Sequence, residues 1–264
     1  MEQVLSKDGT SIAVQRSGTG PPLVMVHGTL ASHQSWAGVL PALEQQFTVY
    51  ALDRRGYGES GDGPSYAIER EFEDIASVVD FVGEGVGLFG HSFGGPCVLE
   101  AARLTPNVRR VVVYEPSPLP VPGAPLYPAG TVEKIEALLE SGDREAVVLA
   151  VFRDLLDVPP GELDAYRASP RFPAWMAAAH LVPRETRAEE AYAFEPERFK
   201  DLRLPVLLLT GGDSPERLKT TILTWHAALA NSRIVVLPGQ GHIAHYTAPD
   251  LFIRELEDFL LETD

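Results

Sequence analysis

Short apolar runs closed by Gly or Pro recur along the chain at Leu23 to Val26, Thr48 to Leu52, Gly85 to Phe89, Val111 to Tyr114, Val206 to Leu209 and Ile234 to Leu237. Each has the length and the continuous apolar character of a strand buried on both faces. Longer stretches between most of them carry helical spacing: Trp36 to Gln46, Glu69 to Val82, Pro96 to Leu104, Leu218 to Ala230 and Asp250 to Leu261. Strand and helix therefore alternate. That alternation predicts an α/β fold, a mostly parallel doubly wound sheet of about eight strands with helices on both faces. The first two strands, Gln3 to Ser6 and Ser11 to Ser17, flank an Asp8-Gly9 turn and are expected as an antiparallel hairpin at one edge.

One interval breaks the rhythm. From Pro116 to Pro205 there is no convincing strand, only a Pro-rich lead (Pro116, Pro118, Pro120, Pro122, Pro125, Pro128) and then helical patterns at Val132 to Ser141, Arg144 to Leu156, Glu162 to Ala168, Pro173 to Leu181 and around Arg187 to Tyr192. A structureless loop of that length would be exceptional in a compact domain, so a helical lid inserted after the sixth strand is the expected form. The domain division predicted is 1–115 with 205–264 for the core and 116–204 for the lid. The Pro-rich lead reads as a rigid extended connector.

Composition narrows the partners. With 264 residues and 45% hydrophobic content the chain can bury a sizeable core, while its formal net charge of -15 and the lack of a Lys/Arg cluster argue against nucleic acid and anionic lipid. The start, Met1 to Arg16, has no basic segment followed by a long apolar run, so neither a signal peptide nor a membrane span is expected. A cytoplasmic location is the default expectation, and the single cysteine, Cys97, is compatible with a reducing compartment and reads as a small buried hydrophobe. The expected partner is a small-molecule substrate. Oligomeric state is not readable from the sequence.

The segment richest in chemistry is Gly90-His91-Ser92-Phe93-Gly94, which follows a predicted strand and precedes a predicted helix. This is the context that a G-x-S-x-G nucleophile elbow requires. A serine in a sharp strand-to-helix turn needs neighbours without side chains two positions to either side, and Gly90 and Gly94 meet that need. The following helix would aim its positive end and the amide of Phe93 at a developing oxyanion. A serine hydroxyl needs a base, and the order expected for this arrangement is Ser, acid, His. Asp213, in Thr210-Gly211-Gly212-Asp213, and His242, in Gly239-Gln240-Gly241-His242, follow two further predicted strands in that order. Ser92, Asp213 and His242 would then share the carboxyl edge of a parallel sheet, where open α/β folds place their ligands. The second oxyanion amide is expected from Thr29, in His27-Gly28-Thr29-Leu30.

These segments, together with Asp53-Arg54-Arg55-Gly56-Tyr57-Gly58-Glu59-Ser60 and Leu207 to Asp213, resemble the α/β-hydrolase superfamily nearly end to end. The similarity is greatest to the lidded branch of carboxylesterases, lactonases, carbon-carbon bond hydrolases, cofactor-free haloperoxidases and hydroxynitrile lyases. The resemblance implies a serine hydrolase that cleaves a small to medium carboxylic ester or related acyl substrate through an acyl-enzyme, with no cofactor and no metal. Relatives that open epoxides or remove halide carry Asp as nucleophile, and Ser92 argues against both. Some members take the acid from the strand before the lid, which makes Glu115 the competitor of Asp213. The alternatives are a hydroxynitrile-lyase-like use of the same triad as acid-base machinery, or a receptor that retains the fold with little turnover.

Other residues carry weaker signals. His245 lies three residues after His242, a poor ligand pattern without Cys or Glu beside it, and is expected to be structural. His27 and His91 are expected to shape their loops by hydrogen bonding. His33, His180 and His226 have no supporting pattern. Gly85 to Gly90 spells G-x-G-x-x-G, but it forms the strand itself and lacks the acidic ribose ligand of a dinucleotide fold. In the lid, Phe152, Phe172, Trp175 and Met176 are candidates for substrate binding; as ordinary core residues they would pack among themselves.

Overall fold

The computed structural model describes residues 1–120 and 126–263. Of the Pro-rich lead, Pro122 and Pro125 lie outside the described residues. The chain forms two compact units, one of Met1–Gly28, Ser32–Ser117 and Glu195–Asp264, the other of Thr29–Ala31 and Pro118–Phe194.

The first unit is built on an eight-stranded sheet. Its strands are β1 (Glu2–Leu5), β2 (Ser11–Gly18), β3 (Pro22–Val26), β4 (Thr48–Leu52), β5 (Val86–His91), β6 (Val108–Tyr114), β7 (Val206–Gly211) and β8 (Ser232–Leu237). The order across the sheet is β1-β2-β4-β3-β5-β6-β7-β8. β1 and β2 form the antiparallel hairpin, and β2 joins β4 antiparallel. The six strands from β4 to β8 run parallel. The hairpin turn closes where Asp8 accepts from the Thr10 amide at 2.9 Å and Gly9 takes a φ of 87°, backbone that glycine enters at no steric cost.

Strand alternation splits the apolar side chains between two faces. Leu23, Met25, Val49, Phe89, Val112 and Leu207 join a core with the C-terminal helix Pro249–Leu260 and the short helix Leu40–Leu43. Their strand neighbours, among them Val24, Leu88, Val113 and Leu208, turn to the opposite face, where the helices Ile68–Val82, Gly94–Ala101 and Glu216–Ala228 pack on β3, β5, β6 and β7. The helix expected at Trp36 to Gln46 is in fact two pieces, a 3-10 turn His33–Trp36 and the helix Leu40–Leu43 with Pro41 in its first turn. Proline lacks the N–H that a continuous helix would need there and so begins a new one.

The second unit is helical and lies between β6 and β7 in the chain. Its α-helices are Thr131–Glu140, Arg144–Ala150, Leu163–Arg167, Phe172–Ala178 and Val182–Ala191. The helix expected to run from Arg144 to Leu156 changes at Val151 into a π-helical turn, Val151–Leu155. The last helix begins at Val182, five residues before the expected Arg187, with Pro183 tolerated in its first turn. Ile135, Val147, Phe152, Phe172 and Val182 make up part of the unit's own core. Arg187 ties two of its helices together by ion pairs to Glu133 at 3.1 Å and Glu136 at 2.8 Å. Among the described residues no helix is long and apolar enough to cross a membrane.

Phe252 is fully buried between the rings of Phe89 at 5.5 Å and Tyr114 at 5.9 Å. Phe252→Ala should therefore cost about 3–5 kcal/mol of stability in urea unfolding. A loss below about 1 kcal/mol would show that the helix Pro249–Leu260 is not anchored through this ring.

Candidate active site

The carboxyl ends of β3 to β8 bring together the residues that carry chemistry. Ser92 stands between β5 and the helix Gly94–Ala101 with a φ of 53°, a left-handed conformation that an L-residue enters only under constraint. Three backbone bonds hold it there: Ser92 donates to the Tyr114 carbonyl at 3.1 Å, and the Ser92 carbonyl accepts from Gly95 at 2.8 Å and Ser117 at 3.1 Å. The glycines around it are sterically required. A Cβ on Gly90 would lie 2.6 Å from Val98 Cγ2, one on Gly94 would lie 2.8 Å from the Val26 carbonyl, and one on Gly28 would lie 2.8 Å from Ser92 Cβ. Phe93 precedes the helix and is buried. Thr29, expected to supply the second amide, follows Gly28 and groups with the second unit.

His242 lies in the loop after β8 with its side chain 16% exposed, and its Nδ1 is 2.9 Å from Glu115 Oε2. Glu115 is completely buried, and its other oxygen, Oε1, accepts from the Gly211 amide at 2.8 Å and Thr210 Oγ1 at 3.1 Å. Burial works to raise the Glu115 carboxyl, but the hydrogen bond and charge of His242 and the Gly211 amide outweigh it and hold the group below the usual carboxylate range. Glu115 is thus an ionised acceptor, so the bond it receives fixes the proton of His242 on Nδ1 and leaves Nε2 as the basic nitrogen.

The expectation that Asp213 orients the histidine is corrected here. Its side chain is exposed, while its backbone amide donates to the Gln240 carbonyl at 2.9 Å. Gly211, two residues before it, gives its amide to Glu115. Glu115 also has a left-handed φ of 44° and ends a strand whose preceding residues are buried and apolar. An ionisable group closing such a run needs a partner, and that was the signal available in the sequence.

Two side chains brace the His242 loop from the sheet. Tyr114 donates its phenol to the Gly241 carbonyl and accepts from the Ala244 amide at 3.0 Å. His91 Nε2 lies 2.8 Å from the His242 carbonyl, and its ring stacks on Tyr114 at 5.3 Å. Burial first, then the charges of His242 and His245, pushes His91 well below the usual imidazole pKa, so it is neutral with its proton on Nε2. His245 is buried among Trp36, His91 and Phe252, a packing position.

A second buried network underlies β3 and β4. His27 Nε2 accepts from the Arg54 amide at 3.1 Å, so its Nδ1 carries the proton and donates to the Gly28 carbonyl at 2.8 Å. Burial and the Arg54 charge lower the His27 imidazole to about 3. His33 gives a counter-example. Its Nδ1 and backbone N–H both reach Asp53 Oδ1, at 2.8 and 2.9 Å, and the Asp53 bond raises its pKa against the pull of burial.

In the second unit Phe152 and Phe172 are buried, and Trp175 and Met176 are half-buried against the same core. Phe152 meets Trp175 at 4.9 Å, Phe172 meets it at 6.3 Å, and the expected substrate-binding side chains are thereby engaged in the unit's own packing. Among the described residues no cluster of three or more His, Cys, Asp or Glu is arranged to hold a metal ion.

The chain belongs to the alpha/beta hydrolase family, whose sequence model matches residues 23–255. An alpha/beta hydrolase from Sphaerobacter thermophilus superimposes with a TM-score of 0.87 at 34% identity, covering 98% of this chain and 99% of that one. The 2-hydroxy-6-oxo-2,4-heptadienoate hydrolase of Pseudomonas putida is 28% identical over 259 residues, 94% of this chain and 91% of the relative. The 2-(acetamidomethylene)succinate hydrolase of Mesorhizobium japonicum is 23% identical over 261 residues, 95% of this chain and 91% of the relative.

The histidines divide by environment, and titration of their ring nitrogens by NMR should show it. Between about pH 5 and 8, His27 and His91 stay neutral, while His33 holds its proton beyond the ordinary imidazole midpoint. Because the folded pKa of His33 is raised, its pair with Asp53 contributes stability that is complete below the unfolded histidine value and is lost as pH rises through the folded one. The difference in urea midpoint between the wild type and His33→Gln should narrow from pH 6 upward. A difference that is constant or grows with pH would contradict the ion pair.

Proposed function

We propose that the chain is a serine hydrolase of small to medium carboxylic esters or related acyl compounds, working through Ser92, His242 and Glu115. The observation that carries the reading is the hydrogen bond between His242 Nδ1 and the buried Glu115 carboxylate. It prepares Nε2 to take a proton, and the left-handed elbow presents a serine on the same strand edge. The three proteins named above are all hydrolases, which supports a hydrolytic reaction.

In this mechanism His242 Nε2 removes the Ser92 hydroxyl proton as Oγ attacks the substrate carbonyl carbon. The carbonyl π pair moves to oxygen, and the amides of Phe93 and Thr29 donate to the resulting oxyanion. Glu115 stabilises the imidazolium without taking its proton. Collapse of the tetrahedral intermediate breaks the bond to the leaving alcohol, which receives the proton from Nε2. Water, deprotonated by the same nitrogen, then attacks the acyl-enzyme, and the acid leaves as Ser92 recovers its proton. Each step is a proton transfer or an acyl transfer, and no redox equivalent is required.

Turnover of a short p-nitrophenyl ester tests the assignment. Ser92→Ala should reduce kcat on the order of a millionfold. Glu115→Gln should reduce it by about 10⁴-fold, the scale seen when a triad acid becomes an amide. Asp213→Asn should leave kcat within about twofold of wild type, a surface change. A large loss in Asp213→Asn with an active Glu115→Gln would reverse the acid assignment.

A further inference from the structure

We infer that Arg54 is a positioning residue for the oxyanion site, holding the Gly28–Thr29 peptide in the orientation from which the Thr29 amide acts. The inference rests on the proposed serine-hydrolase reading. Arg54 follows β4 and is buried at 1% exposure, so it cannot meet substrate. Its guanidinium instead bridges the structures on both sides of the elbow. Nη2 donates to the Gly28 carbonyl at 3.3 Å, and Nη1 donates to the buried Glu71 at 3.0 Å. The guanidinium carbon lies 4.4 Å from the centre of the Phe93 ring and 4.8 Å from that of Tyr57.

The consequence follows from peptide planarity. In a trans peptide the C=O of one residue and the N–H of the next point in opposite directions. A Gly28 carbonyl held by Arg54 and by His27 Nδ1 therefore turns the Thr29 N–H away from both of them. Gly28 is also the residue whose hydrogens face Ser92, since an added Cβ there would lie 3.4 Å from Ser92 Oγ. Rotation of this one peptide plane is what would remove the amide from service. Arg54 thus acts at two points, on the carbonyl that sets the Thr29 amide and on the ring of Phe93, whose amide is the other donor. Glu71 fixes the guanidinium, with Tyr66 Oη 3.1 Å from the same carboxylate oxygen that Arg54 uses.

The experiment compares wild type with Arg54→Met on a short p-nitrophenyl ester, and on two inhibitors matched to it. A trifluoromethyl ketone forms a tetrahedral oxyanion on the serine, and the corresponding methyl ketone is its ground-state control. The expected result is a fall in kcat of about 10- to 100-fold with KM within about twofold of wild type, up to the scale of a displaced catalytic group and short of a donor lost outright. The trifluoromethyl ketone should weaken by the same factor, and the methyl ketone should bind as before. Because the single substitution would leave Glu71 buried without its cation, the double variant Arg54→Met/Glu71→Leu is measured alongside. Replacing both members of a buried pair by apolar groups often preserves stability.

An unchanged kcat in either folded variant overturns the inference, as does a loss confined to KM or shared equally by the two ketones. A wild-type chain that neither turns over esters nor takes a fluorophosphonate at Ser92 overturns the serine-hydrolase reading, and the inference with it. An active, labelled wild type with an indifferent Arg54 overturns the inference alone.

Discussion

The site depends on reversing the chain within a single residue at the ends of two neighbouring parallel strands. β5 ends into Ser92 and β6 into Glu115, and both are left-handed without being glycine. Such backbone costs about 1–3 kcal/mol at each position and persists only where the surroundings enforce it. The enforcement is the sheet itself. The Ser92 amide is bonded to Tyr114, and the Glu115 amide to Leu209, so each reversal is tied to the adjacent strand as it begins. Glycines then become obligatory, because the departing helix lies close enough to β3 that a Cβ on Gly94 would lie 2.8 Å from the Val26 carbonyl oxygen and 2.9 Å from that of His27.

Around these reversals the core holds several buried ionisable groups, each with a hydrogen-bonding side-chain partner. Glu115 meets His242, Arg54 meets Glu71, Arg55 meets Asp74 at 2.7 Å, and Asp53 meets His33. Removing one member of such a pair is expensive, about 3–5 kcal/mol, because the survivor stays desolvated. The carboxyl edge of the sheet is therefore rigid for an electrostatic reason as well as for packing. His91 and Tyr114 add neutral hydrogen bonds to the His242 loop, so the histidine is held by its own backbone as well as by its acid.

Much of this was legible in the sequence, and unevenly so. The strands could be read because burial on both faces leaves continuous apolar runs; Thr48–Leu52 has the expected limits, and the other runs lie at or within the observed strands to a residue. The elbow could be read because its glycines answer a steric demand that is local in the chain. The acid could not be read with the same security. Asp213 follows β7 in the expected order, but chain order does not say which way a loop turns after two glycines. Which carboxylate meets the histidine depends on the depth of the strand end, and only tertiary structure reveals that. In the helical unit, amphipathic spacing marked helices and left Phe152 and Trp175 ambiguous, because a pocket wall and a core have the same composition.

Placing the carboxylate at the end of β6 divides the work between two turns. The turn after β7 keeps a backbone duty, since the Gly211 amide serves Glu115, while the exposed Asp213 side chain takes no part in that bond. The proposed mechanism makes its demand on Glu115 and its left-handed backbone, and none on the Asp213 side chain. On that mechanism, relatives are to be compared at the strand that precedes the helical insertion, where the carboxylate meets the histidine.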